Sequence, residues 1–203
     1  MINLYITRHG ETVWNTQKRM QGWSDSDLTE NGIRNALSLG ERLKDIDFTA
    51  IYSSPSDRTK KTADLIKGER DISILLDKDL REIHMGEWEG QTVSFIEKNF
   101  PNEHYSFWNT PHLYKTETGE SFDELRNRVN NFLNRLQEMY TSGNILIVTH
   151  AVVIKTILAI FKDYPTEKLW TPPFIHDTSL TNVELIGEKK NFIIEGDLSH
   201  RVK

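Results

Sequence analysis

An α/β fold built on a mostly parallel sheet is predicted by two features of this 203-residue chain. Strand-like and helix-like segments alternate along it, the pattern of successive βαβ units. Three strand-like runs also end on polar residues at a turn. Ile2-Asn3-Leu4-Tyr5-Ile6 leads to Arg8-His9-Gly10, Ala50-Ile51-Tyr52-Ser53-Ser54 ends at Pro55, and Ile145-Leu146-Ile147-Val148-Thr149 leads to His150. The carboxyl ends of parallel strands share one sheet edge, so these three junctions can converge.

Each element has a local cause. Residues 2–8 read as a strand, and residues 29–44 as a helix capped by Thr29, with Ile33, Leu37, Leu39 and Leu43 as a rough apolar face. Residues 50–54 form the second strand. Ser54 is expected to cap the next helix, with Pro55 at its first position, Asp57 at its third and Arg58 on its first turn. Ile72–Leu76 reads as a third strand. Residues 92–118 read as an irregular, aromatic, proline-bearing insertion near the site. Ser121-Phe122-Asp123-Glu124 has the form of a capping box. It opens a helix to about Tyr140 whose Leu125, Val129, Phe132, Leu133 and Leu136 face inward. Residues 144–149 are a strand and 151–161 a helix. The runs at 183–186 and 191–195, separated by Gly187-Glu188-Lys189-Lys190, read as a terminal hairpin. The polar tail Ser199–Lys203 is expected to fray.

The bulk properties suit one domain spanning residues 1–203. Apolar residues make up 37% and charged residues 27%, the balance of a water-soluble globular chain. No apolar run reaches the roughly 18–20 residues of a membrane helix, so no membrane partner is expected. His9 lies so close to the start of the chain, at the end of a core strand, that no removable leader is expected. The absence of cysteine excludes disulfides, thiol catalysis and cysteine-bound zinc, and fits a cytoplasmic location. The net charge of −5 argues against nucleic acid as a partner. A homodimer is compatible with all of this.

The strand ends carry the chemistry. Arg8-His9-Gly10 brings a cation and an imidazole to one sheet edge, as phosphoryl transfer through a phosphohistidine requires, and Gly10 lets the backbone turn sharply and a ligand approach. A lone histidine more often serves only structure; the flanking Arg8 and Gly10 make His9 the candidate nucleophile. Attack needs a neutral ring nitrogen, with the other nitrogen held by a hydrogen bond. Arg8 and Arg58 are candidate phosphate clamps, because a guanidinium matches two phosphoryl oxygens at once. His150 is placed to donate to a phosphoryl oxygen. The loop Arg81–Gly90 offers Glu82, Glu87 and Glu89 as general acids, and chemistry alone does not choose among them. The remaining histidines, among them His104, His112, His176 and His200, form no metal motif.

Taken in order, Arg8-His9-Gly10, Ser53-Ser54-Pro55, Arg58, His150 and Asp177-Thr178-Ser179 resemble the histidine phosphatase superfamily, the phosphoglycerate-mutase-like enzymes, over essentially the whole chain. The resemblance implies a three-layer α/β sandwich with helices on both sheet faces. It also implies a phosphohistidine mechanism that uses no metal or other cofactor. It selects Glu82, two residues after Leu80, as the acid. It suggests that Asn15 bonds the phosphoryl group with Gln21 nearby, and that Thr178 and Ser179 border the site. One departure is Ala151-Val152-Val153 after His150, where the family often has glycine.

Within the family, a mutase must hold a substrate with two anionic ends. Residues 83–125 carry only Lys98 and Lys115 as cations, against several glutamates, and hold Phe95, Phe100, Tyr105, Phe107, Trp108 and Tyr114 instead. Those aromatics serve equally well as a small local core. The expected activity is therefore a phosphatase acting on a small phosphorylated metabolite. The alternatives are a phosphoglycerate mutase and a non-catalytic phospholigand-binding module on the same fold.

Overall fold

Apolar side chains on both faces of the central strands require helices on both sides of the sheet. The clearest case is the strand Gly143–Thr149, in which Ile145, Leu146, Ile147 and Val148 are all fully buried. Side chains alternate across a strand. Ile145 and Ile147 therefore pack into one core cluster, and Leu146 and Val148 into a second on the opposite face. A near-continuous apolar run of this kind belongs to a strand covered on both faces.

The computed structural model describes residues 1–201. Its strands are β1 (Ile2–Arg8), β2 (Phe48–Ser53), β3 (Ile74–Leu76), β4 (Gly143–Thr149), β5 (Leu180–Ile186) and β6 (Lys189–Asp197). The helices are α1 (Val13–Thr16), α2 (Glu30–Arg42), α3 (Asp57–Lys67), α4 (Val93–Asn99), α5 (Pro101–Asn109), α6 (Phe122–Met139) and α7 (Ala151–Phe161). The sheet is open, in the order β3-β2-β4-β1-β5-β6. Its first four strands are mutually parallel, β5 runs against β1, and β6 returns against β5 as the expected hairpin. Leu39 and Leu43 around α2 and Ala63 and Ile66 of α3 cover one face; α6 and α7 cover the other. This is the three-layer α/β architecture.

Register brings the site together. Arg8 of β1 is level with Thr149 of β4, and Ser53 of β2 is level with Val148. The residues that follow, His9, Ser54 and His150, therefore emerge at one sheet edge.

Several boundaries differ from those read in the sequence. Ser54 does not cap a helix: its amide still bonds Val148 O at 3.1 Å, so the chain stays tied to β4 and α3 begins only at Asp57, with Ser56 at the cap position. The third strand shortens to Ile74–Leu76. Residues 92–118 are largely helical. Thr92 caps α4, accepting from Phe95 N at 3.2 Å, and Pro101 opens α5, where its missing N–H does no harm. These helices are hard to see in sequence because each buries one residue, Ile96 or Phe107, too few to show a period. The capping box of α6 forms as expected: Glu124 N bonds Ser121 Oγ at 3.2 Å, and Ser121 N bonds Glu124 Oε2 at 2.8 Å. The tail is held at Arg201, which pairs with Asp177 at 2.7 Å; Val202 and Lys203 lie outside the described residues.

Phe107 anchors the 92–118 segment. It is fully buried, with ring centroids of Trp108, Tyr114, Phe122 and Trp170 within 4.9–5.5 Å. Phe95 and Tyr105 are exposed instead. Phe107→Ala is expected to destabilise the protein by about 3–5 kcal/mol in denaturant unfolding, the usual cost of emptying an aromatic site. A loss below about 1 kcal/mol would show that the cluster is not a packed core.

Candidate active site

His9 lies one residue past β1 and is 3% exposed. Its amide extends the ladder to Thr149 O at 2.9 Å. Its Nδ1 faces Gly10 O at 2.8 Å; a carbonyl only accepts, so Nδ1 carries the proton and Nε2 keeps its lone pair. Burial, with Arg58 and Arg8 close by, holds the ring well below the usual histidine pKa, so it stays neutral. Gly10 has a use other than the one read in the sequence. A Cβ there would stand 2.7 Å from Gly32 O, so the glycine admits the first turn of α2 rather than a ligand.

Two guanidinium groups flank the ring. Arg58, on the first turn of α3, is 2% exposed. Its NH1 donates to Ser24 O at 2.7 Å and Asp25 Oδ1 at 3.0 Å, and its NH2 to Gly22 O at 2.8 Å and His150 Nδ1 at 3.1 Å. Arg8 NH1 donates to Ile175 O at 3.0 Å. The Nε–H of each arginine is buried without a partner. Buried donors without partners are rare in folded proteins, and two such cations beside one imidazole suit an oxyanion.

His150 follows β4 and is 1% exposed. Arg58 can only donate, so His150 Nδ1 accepts and Nε2–H points to Ser54 Oγ at 2.8 Å. The sequence suggested that this ring donates to a phosphoryl oxygen. Here both nitrogens are engaged with protein groups, Nδ1 with Arg58 and Nε2 with Ser54.

The three carboxylates of the 81–90 loop separate cleanly. Glu82 is 8% exposed and lines the same cavity as His9; its oxygens accept from Ile83 N at 3.0 Å and Val152 N at 3.3 Å. Burial raises its pKa, against the pull of those two amides and the arginines. Glu89 is fully engaged elsewhere, by Trp23 N, Ser24 N and Oγ, and Met85 N at 2.7–3.2 Å. Glu87 is exposed and off the cavity.

Asn15 and Gln21 both line the cavity. Thr12 N and Oγ1 hold Asn15 Oδ1 at 3.0 and 3.1 Å, which leaves the amide donors as its free end. Gln21 is 7% exposed, and its Oε1 has no partner. Thr178 and Ser179 do not reach the cavity. Thr178, at φ 49°, instead turns its amide back onto Arg8 O and His9 O at 3.1 and 3.3 Å, supporting the chain that carries His9. Ser179 Oγ bonds His176 O at 2.8 Å. Sequence reasoning missed Asp25, whose carboxylate accepts from Arg58 and from the first amide of α3, and Lys155, whose Nζ holds the carbonyls of Thr171 and Pro173. A lysine inside the run Val152–Ile160, whose one other polar residue is Thr156, was the available signal for the second.

The cavity has a volume of about 440 Å³. Its lining includes His9, Arg8, Arg58 and Glu82 together with the aromatic residues Phe107, Trp108, Trp170 and Phe174. Two further cations border it, Arg19 and Lys155, and both donate to main-chain carbonyls. Among the described residues no cluster of three or more histidine, aspartate or glutamate side chains could hold a metal ion.

Comparison with known proteins places the chain among characterised folds and sequences. The chain is 44% identical to Bacillus stearothermophilus YhfR, whose solved structure superposes with a TM-score of 0.96 over 100% of both chains. It is 29% identical to phosphoserine phosphatase 1 of Hydrogenobacter thermophilus, over 96% of this chain and 92% of that protein. It is 30% identical to the probable phosphoglycerate mutase GpmB of Escherichia coli, over 98% of this chain and 95% of that protein. The family model described as histidine phosphatase superfamily (branch 1) matches residues 4–195, and the chain belongs to that family.

Proposed function

We infer that this protein is a phosphatase that hydrolyses small phosphomonoesters through a phosphohistidine on His9. One observation carries the inference: a neutral imidazole, with its Nε2 lone pair free, has the guanidinium groups of Arg8 and Arg58 close by, each with a buried, unpartnered Nε–H. The phosphoryl oxygens take up those donors, with Asn15 Nδ2 as a further one. His9 Nε2 attacks phosphorus as the bond to the leaving oxygen breaks, and the Glu82 carboxyl gives that oxygen its proton. The resulting Glu82 carboxylate then takes a proton from water. The hydroxide so formed attacks phosphorus, phosphate departs, and His9 returns to its neutral form. Burial favours the protonated carboxyl that the first step needs. The arginines supply the positive charge, so the scheme calls for no metal.

The composition of the cavity lining favours hydrolysis over mutase chemistry. A substrate with a second anionic end needs free cations there. The two other cations of the lining, Arg19 and Lys155, each donate to main-chain carbonyls, and aromatic residues make up much of the rest. No helix among the described residues is long and apolar enough to cross a membrane.

Two outcomes follow. Rapid quench with labelled substrate is expected to trap an acid-labile, base-stable phosphoryl group on His9, which disappears in a folded His9→Ala variant. Label that persists in that variant would assign the nucleophile elsewhere. Glu82→Gln is expected to slow hydrolysis of an alkyl phosphate by about 10²–10⁴-fold, and of p-nitrophenyl phosphate much less, because p-nitrophenolate leaves without a proton. Equal losses on both esters, or selective loss in Glu87→Gln instead, would contradict the choice of Glu82.

A further inference from the structure

The loop that carries Glu82 has no regular ladder of its own. It connects the single-turn helix at Lys78–Leu80 to another at Gly86–Trp88. What holds it is a side chain two turns into α6. Arg128 has five N–H donors, and all five are used. Nε and NH2 grip the Glu120 carboxylate at 2.6 and 2.8 Å. NH1 donates to Asp79 O at 2.8 Å and Arg81 O at 2.7 Å, and the second NH2 proton goes to Glu82 O at 2.9 Å. Glu120 completes the frame by accepting from His84 N at 3.1 Å. The main chain is thus pinned on both sides of Glu82. Neighbouring contacts reinforce it, from Trp23 Nε1 to Glu82 O at 2.8 Å and from Thr149 Oγ1 to Leu80 O at 2.7 Å.

Arg128 and Glu120 touch no reacting atom and do not line the cavity. Both are largely shielded from water, with side chains 15% and 13% exposed, so their pairing is not a solvent-screened surface bridge. General acid catalysis depends steeply on where the proton is held, and a displacement of about 1 Å can cost about 10²-fold. We propose that Arg128, braced by Glu120, is the positioning residue that holds the Glu82 carboxyl within reach of the leaving oxygen. The proposal rests on Glu82 being the general acid. A lysine could not replace Arg128, since three donors on one nitrogen cannot span three carbonyls and a carboxylate.

The test compares an alkyl phosphate with p-nitrophenyl phosphate in Arg128→Met, Arg128→Lys and Glu120→Gln, with melting temperature and circular dichroism recorded for each. Arg128→Met is expected to lower kcat by about 10–10²-fold more on the alkyl ester than on the activated one. Arg128→Lys should recover only part of that selective loss. Added to Glu82→Gln, Arg128→Met should cause no further selective loss, because no acid remains to be misplaced. Where Arg128→Met does not fold, Glu120→Gln carries the same comparison, with a selective loss in the same direction. Equal losses on the two esters in Arg128→Met or Glu120→Gln, while Glu82→Gln stays selective, would overturn the proposal and leave the acid assignment standing. An unselective Glu82→Gln would overturn both. Further selective loss on top of Glu82→Gln would also overturn it, because Arg128 would then act by another route.

Discussion

The hydrogen bond from His9 Nδ1 to Gly10 O is the constraint on which the site depends. It settles which nitrogen carries the proton and so which one faces the cavity. A histidine beside two arginines gains nothing from a charge of its own, and burial adds to that cost. The ring is therefore kept neutral by the same cations that suit a phosphoryl group. The neighbouring backbone is fixed to match: the His9 amide is tied to β4, Gly10 packs against α2, and Thr178 closes over the carbonyls of Arg8 and His9. His9 inherits the rigidity of the sheet.

A second theme is the use of cations to organise chain that has no ladder. Arg58 collects the carbonyls of Gly22 and Ser24, Arg8 that of Ile175, Lys155 those of Thr171 and Pro173, and Arg128 those of Asp79, Arg81 and Glu82. Buried carbonyls in irregular segments need donors, and a guanidinium supplies several in one plane. The cavity wall is assembled in this way from three separate loops around a sheet edge. It also explains how an acidic protein presents a local positive site: the cations are buried and already aimed, whatever the net charge.

Much of this was legible in the chain. The strands could be read because β1, β2 and β4 are apolar runs that stop on chemistry-bearing residues, and the shared edge of a parallel sheet brings His9, Ser54 and His150 together. The α6 capping box was readable because both partners lie within four residues. What failed to show was whatever depends on contacts distant in sequence. Ser54 looked like a helix cap, but its amide belongs to β4 and its hydroxyl to His150. Thr178 and Ser179 looked like site residues, but neither lines the cavity: Thr178 bonds the carbonyls of Arg8 and His9, and Ser179 that of His176. Arg128 gave only a faint signal, a charge beside the inward stripe of Leu125 and Val129. Its five partners are spread over residues 79–120, and no local pattern encodes them.

The central claim is that His9 is neutral, with its proton on Nδ1. Nitrogen NMR of the protein labelled in its seven histidines, with His9 assigned by its absence in His9→Ala, reports the tautomer and the charge together. The account predicts a protonated Nδ1, an unprotonated Nε2 and no titration of His9 between about pH 6 and 8, the range in which an unperturbed histidine loses its charge. A His9 that titrates in that range, or that carries its proton on Nε2, would contradict it.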